Sequence, residues 1–279
     1  MSIMDKSFIN WDKIPPLRRA RGYRLYSYDN KTLLDLYLDG AAAIMGHKSG
    51  SALLHLKNTA QQGVFAPYPS IQSNRLKKAL SSLYPDLCNF VIISNFKRAK
   101  ELLASVAFYH PLLPLENRED LCATALRLIK IPLAGNATPA VVASPKGIAL
   151  PPNYPSRDEG VSAFLLSAAT RAVYDFIAFK TVYSTINFDW WDLALQKSIN
   201  LIAHSNNENQ TDNLQKDGFV RKGAYLYYLG DEESYALRFD KALKHDVLIA
   251  PHWGEPSLLP FQSTPGEKNK IVKALLSPL

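Results

Sequence analysis

The chain has 279 residues, of which 47% are hydrophobic, and it carries a formal net charge of +7. A chain of this length and apolar content can bury a sizeable core, so a disordered protein is excluded. No apolar run approaches the roughly 18 residues of a membrane span, and the first residues lack the apolar stretch of a secretory signal. We therefore expect a cytoplasmic protein without a membrane partner.

Cysteine and histidine usage limits the chemistry further. Cys88 and Cys122 stand alone, without CxxC spacing, and so indicate free thiols rather than a disulfide framework or a thiolate zinc site. The six histidines lack the spacing of a helical zinc motif, which predicts no metal site. Basic residues are scattered along the chain, so nucleic acid is not the expected partner, although an anion or nucleic-acid binder stays open as a function class.

The first predicted elements are an N-terminal arm and a hairpin. Arg24 to Tyr28 and Thr32 to Leu38 are β-prone runs, and Asp29-Asn30-Lys31 between them has the chemistry of a tight turn. Helices are predicted next, one opening at Ser51 and one over Asn74 to Leu83, where leucines recur at helical spacing.

The middle of the chain predicts a strand, a turn and a helix, followed by two short strands. Asn89 to Ile93 forms the first strand and Arg98 to Phe108 the helix. Such a turn is where an α/β protein places a phosphate, because a helix N-terminus offers free N–H groups. Residues 127–133 and 140–144 are the later β-prone runs.

The last third predicts two helices and then a small α+β domain. Glu159 to Phe179 and Trp190 to Ala203 carry apolar residues at helical intervals. From Gly223 to Leu275 the pattern alternates between strand and helix.

Taken together, these segments resemble class III pyridoxal-phosphate-dependent aminotransferases, in particular the glutamate-1-semialdehyde aminomutase group. The hairpin motif of that family is matched by Gly22, Leu25, Asp29, Leu34, Asp35, Gly46 and His47. The resemblance implies an α/β fold of the fold-type-I class, with an arm and hairpin over residues 1–50, a reduced large domain over 51–180 and an α+β small domain over 181–279. It also implies a homodimer.

The same resemblance implies a site for pyridoxal phosphate. The segment from Thr138 to Leu150 is similar to the strand that ends at the family's Schiff-base lysine, which makes Lys146 the catalytic candidate. The turn after Ile93 is similar to the family's phosphate-binding turn, and this makes Asn95, Lys97 and Arg98 the cofactor-binding candidates.

Other residues depart from the family pattern. Phe96 replaces a glycine at the phosphate turn, and the strand from Leu128 to Pro132 lacks the carboxylate that would hold the pyridine nitrogen protonated. Roughly fifty residues separate Asn95 from Lys146, where the family has a far longer stretch. The departures favour a degenerate relative with lost or strongly impaired catalysis, a dimeric binding or regulatory protein for a small anionic or amino-acid-like ligand. An active aminotransferase or aminomutase using Lys146 is the alternative.

Overall fold

The structure is a computed structural model, and its residues divide into two compact units. The described residues are 10–40, 42–47, 51–63, 65–94, 98–99, 107–109, 127–131, 139–149, 158–204 and 218–277. One unit comprises residues 1–47 together with 185–279, and the other comprises residues 48–184.

Helices and strands alternate through both units. The described helices are α1 (Ala52–Ala60), α2 (Ile71–Leu83), α3 (Ala163–Tyr183), α4 (Asp189–His204), α5 (Glu232–Lys244) and α6 (Pro265–Leu276). The described strands are β1 (Leu17–Arg21), β2 (Arg24–Ser27), β3 (Thr32–Asp35), β4 (Leu87–Ile93), β5 (Ala107–Tyr109), β6 (Arg127–Lys130), β7 (Ala140–Pro145), β8 (Phe219–Lys222), β9 (Tyr225–Tyr228), β10 (Val247–Leu248) and β11 (Ser257–Leu258). No helix in these ranges is both long and apolar enough to cross a membrane.

The unit of residues 48–184 is built on a sheet with the order β4-β7-β6-β5. Strand β7 pairs antiparallel with both β4 and β6, and β5 runs parallel to β6. Strands β4, β5 and β6 therefore point the same way, and their carboxyl ends lie at one edge of the sheet. Helices α1 and α2 pack on α3, whose Ala168, Ala172 and Phe176 are fully buried.

The other unit contains two sheets, with the orders β1-β2-β3-β10 and β11-β9-β8. Because β3 pairs in parallel with β10, the hairpin belongs to the same unit as residues 185–279. Two helices of this unit begin at strong caps: the Asp231 side chain accepts the Ser234 N–H before α5, and Thr264 and Glu267 form a capping box before α6.

A buried carboxylate shapes the turn that follows β3. Asp35 Oδ1 accepts the N–H groups of Tyr37 and Leu38 at 2.8 and 3.0 Å, and Oδ2 lies 2.7 Å from His47 Nε2. Leu38, Asp39 and Gly40 all have positive φ. Left-handed backbone at a leucine is unfavourable, so the contacts to Asp35 hold a turn that the local sequence disfavours.

The structure differs from the sequence-based elements in two places. Strand β3 ends at Asp35, three residues before the predicted end, because Asp35 starts the left-handed turn. Phe108 was predicted at the end of a helix, but it lies in β5 and pairs with Leu128 of β6. An apolar run of this length fits either element, and strand pairing decides it.

Candidate functional site

The turn after β4 is held by a carboxylate from a distant part of the chain. Glu159 Oε2 accepts the backbone N–H of Ser94 at 2.9 Å, and Glu159 Oε1 lies 3.3 Å from Arg98 Nε. The backbone N–H of Glu159 also donates to the Ile92 carbonyl at 2.9 Å. One glutamate thus binds both a main-chain donor and a cation at the start of the helical segment that follows β4.

The neighbouring carboxylate, Asp158, holds the same strand end. It accepts the Ile92 N–H at 2.9 Å and the Ser73 hydroxyl at 2.6 Å, and Lys77 Nζ lies 2.8 Å away. Burial alone would raise the pKa of Asp158, but these hydrogen bonds outweigh it and the pKa lies below its ordinary value. The contacts of Asp158 and those of Glu159 therefore both require an ionised carboxylate.

The pKa of Glu159 follows the same balance. Burial would raise it, and the hydrogen bonds from Ser94 together with the charge and hydrogen bond of Arg98 lower it below its ordinary value. Glu159 is thus a fixed negative charge at the place where the sequence predicts that a phosphate would bind.

Two of the four predicted site residues, Lys146 and Arg98, lie among the described residues. Asn95 and Lys97 lie outside the described residues, and Arg98 is the cation paired with Glu159. Lys146 is exposed in the turn after β7, where its N–H donates to the Asp86 carbonyl at 3.0 Å. This turn is at the amino end of β4, whereas Arg98 follows its carboxyl end.

The length of β4 sets the separation between these two positions. Leu87 lies opposite Pro145 and Ile93 lies opposite Ala140, with a register shift between Cys88 and Val91. At a rise of about 3.3 Å per residue, the length of β7 from Ala140 to Pro145 places about 17 Å between the Lys146 turn and the turn after Ile93. The structure does not bring Lys146 and Arg98 into one site.

A different lysine backbone lies level with the carboxyl end of β4. Ala140 is paired with Ile93 on one side and with Lys130 on the other, so the three residues form one row across the sheet. Two strand spacings of about 4.8 Å place Lys130 Cα roughly 10 Å from Ile93 Cα. The sequence analysis placed Lys130 in a strand and gave it no functional role. Its position at the carboxyl end of a β-prone run was the signal that could have singled it out.

A second polar cluster lies in the unit that contains the hairpin. Asn10 is only 1% exposed, and its Nδ2 donates to the Pro251 carbonyl at 3.4 Å. The Asn10 Oδ1 and the Oε2 of Glu255, which lies in the turn after Pro251, are buried and have no donor among the described residues. Burial, followed by the charge of Glu255, raises the pKa of the nearby Tyr37 hydroxyl. Buried acceptors without donors fit a group that is rich in N–H donors.

These two clusters contain no obvious metal centre. Across the described ranges, no three His, Cys, Asp or Glu side chains are grouped closely enough to hold a metal ion.

Comparison with solved structures identifies the fold. A glutamate-1-semialdehyde aminomutase from Pseudomonas aeruginosa in complex with PMP matches with a TM-score of 0.57 at 12% identity, over 92% of this chain and 86% of that chain. An acetylornithine aminotransferase from Elizabethkingia anophelis matches with a TM-score of 0.58 at 11% identity, over 92% of this chain and 91% of that chain. The fold is that of the fold-type-I pyridoxal-phosphate aminotransferases. The α/β architecture predicted from the sequence is confirmed at this level.

Sequence comparison finds two uncharacterized proteins among the relatives. A protein from Treponema pallidum is 26% identical over 293 residues, covering 88% of each chain. A protein from Borreliella burgdorferi is 26% identical over 268 residues, covering 94% of this chain and 90% of the relative. No family model matches the chain.

Among the described residues, the donors at the end of β4 are already bound to a carboxylate. The Ser94 N–H and the Arg98 guanidinium bind the Glu159 carboxylate, which repels a second anion at the same donors. Lys146 lies at the opposite edge of the sheet.

Proposed function

We propose that this protein is a relative of the class III aminotransferases in which catalysis is lost or strongly impaired. It acts in the cytoplasm as a dimeric binding or regulatory protein. The fold supports a common ancestry with the class III aminotransferases. One observation supports the loss of catalysis: the Glu159 carboxylate binds the donors at the turn after β4. A turn with its own built-in anion has little affinity for a phosphate group.

The second polar cluster supports a binding role for the chain. The buried Glu255 Oε2 lacks a donor among the described residues, and an ammonium group would supply one together with a charge opposite to that of Glu255. The ligand that fits is therefore an amine, and the amine of an amino-acid-like ligand is one such group. This role needs no covalent chemistry at a lysine.

Titration with pyridoxal phosphate, followed by absorption spectroscopy, tests the proposal. The wild-type protein is expected to show only the spectrum of free pyridoxal phosphate, without the band of a Schiff base. A saturable band that Lys146→Ala or Lys130→Ala abolishes would overturn the loss of catalysis. A class III aminotransferase of known activity serves as the positive control.

One observation favours a second candidate function, an active pyridoxal-phosphate enzyme. The register of the sheet places Lys130 level with Ile93, at the same edge as the turn that Arg98 follows. The backbone of Lys130 therefore lies nearer to this turn than the backbone of Lys146 does. The two lysine variants separate the possibilities. If only Lys130→Ala loses the Schiff-base absorption band, Lys130 is supported as the Schiff-base lysine. If only Lys146→Ala loses the band, Lys146 is supported, as the sequence predicts.

The dimer has its own test. Sedimentation velocity at several protein concentrations is expected to give the mass of two chains. A single species of about 31.2 kDa, the mass of one chain, would contradict the dimer and leave the account of Glu159 unaffected.

A further inference from the structure

An open groove runs between α4 and α6, in the unit that contains the hairpin. Its volume is about 600 Å³. Trp190, Leu193 and Val272 are among the apolar residues that line it, and Leu193 is 62% exposed. Because this exposed leucine lies beside a tryptophan, the groove has an apolar surface whose hydration is unfavourable.

The described charged side chains that line the groove are all positive. Of the described residues that line it, Lys197 and Lys268 are cationic and none is anionic. Lys268 Nζ lies 5.4 Å from the centroid of the Trp190 ring, a cation–π contact that places the ammonium at the apolar surface. The groove therefore combines an apolar wall with two positive charges.

These features select the occupant by size and charge. A volume of about 600 Å³ is within the range of roughly 300 to 1,000 Å³ that is typical of small-molecule sites. A macromolecular partner would need a surface of about 1,000 Å² or more. The two lysines favour a negative end, and the apolar wall favours a hydrocarbon body.

We propose that the groove between α4 and α6 binds a small amphiphilic carboxylate. The hydrocarbon body lies against Trp190, Leu193 and Val272, and the carboxylate pairs with Lys197 and Lys268. This site is independent of the turn after β4 and of the proposed loss of catalysis.

Three probes with eight carbon atoms each and different head groups test the proposal: octanoate, octanol and octylammonium. Binding to the full-length protein is followed by tryptophan fluorescence, with Trp190→Phe to assign the signal, and by calorimetry. Octanoate is expected to bind saturably and about tenfold more tightly than octanol, because each exposed ion pair contributes up to about 1 kcal/mol. Octylammonium is expected to bind more weakly than octanol.

Matched variants locate the site. The double variant Lys197→Met, Lys268→Met keeps the apolar stems, and it should lower octanoate affinity about tenfold while leaving octanol unchanged. Lys273→Met changes an exposed lysine of α6 that does not line the groove, and it should leave octanoate affinity unchanged. The proposal is overturned if octanoate shows no saturable binding, if it binds no better than octanol, or if the double variant binds it as the wild type does.

Discussion

Glu159 accepts the backbone N–H of Ser94, 65 residues earlier in the chain, at 2.9 Å, and its other carboxylate oxygen lies 3.3 Å from Arg98 Nε. In a strand-turn-helix unit these donors are the groups that would otherwise face an anion. The chain supplies that anion itself. The contact ties the residues before α3 to the end of β4, and in the proposed function it is the feature that keeps the phosphate of the cofactor from this position.

Asp158 should contribute stability that disappears in acid. Its folded-state pKa lies below the ordinary value of about 3.9, so the contribution is fully present above that value and is lost as the pH falls through the lower, folded-state pKa. Asp158→Asn should lower the free energy of unfolding by about 2 kcal/mol at neutral pH, since it weakens charge-assisted hydrogen bonds. Urea unfolding at several pH values measures both effects.

Below pH 4 the stability difference between Asp158→Asn and the wild type should shrink. Asp29→Asn, which removes an exposed carboxylate from the hairpin turn, is the matched control and should change the unfolding free energy by less than about 0.5 kcal/mol. If Asp158→Asn lowers the free energy of unfolding by the same amount at all pH values, the ionised form of Asp158 does not contribute to stability.

Replacing Asp35 should lower the free energy of unfolding more than replacing most other polar residues of the unit that contains the hairpin. Asp35→Ala leaves the Tyr37 and Leu38 N–H groups and the His47 ring without their shared acceptor, and the side chain of His47 is mostly buried. We expect a loss of about 3 kcal/mol in the free energy of unfolding, measured by chemical denaturation. Asp29→Ala should cost less than about 0.5 kcal/mol, and equal losses for the two variants would argue against the role of Asp35.

The Asn10 and Glu255 cluster should respond to an ammonium group. β-Alanine should raise the Tm in a concentration-dependent way, whereas propionate, which lacks the ammonium, should bind at least about tenfold more weakly. Glu255→Gln should weaken the binding of β-alanine by about tenfold, because it removes the charge that pairs with the ammonium. Equal shifts with β-alanine and propionate would rule out recognition of the amine.

The sequence predicted the elements better than their arrangement. Leu76, Leu80 and Leu83 recur at helical spacing and are all buried in α2, and the turn residues of the hairpin lie between β2 and β3. These signals are local, because they depend on residues that are close together in the chain. Local patterns were therefore sufficient for these two elements.

The candidate site depended on information that local patterns lack. The direction of β7 is set by its pairing with β4 and β6, so nothing near Lys146 in the sequence showed that this lysine would lie at the far edge of the sheet. The contact between Arg98 and Glu159 joins residues 61 positions apart. Sequence-distant contacts of this kind follow from tertiary packing, and single-sequence patterns do not encode them.

Phosphate binding to Glu159 variants tests the central claim most directly. Calorimetry should show that inorganic phosphate binds Glu159→Gln at least about tenfold more tightly than it binds the wild type, since the competing charge beside Arg98 is gone. Glu233→Gln, the same charge change at an exposed position on α5, is the control and should behave as the wild type does. If the wild type and Glu159→Gln bind phosphate equally, Glu159 does not occupy the anion position and the account is wrong.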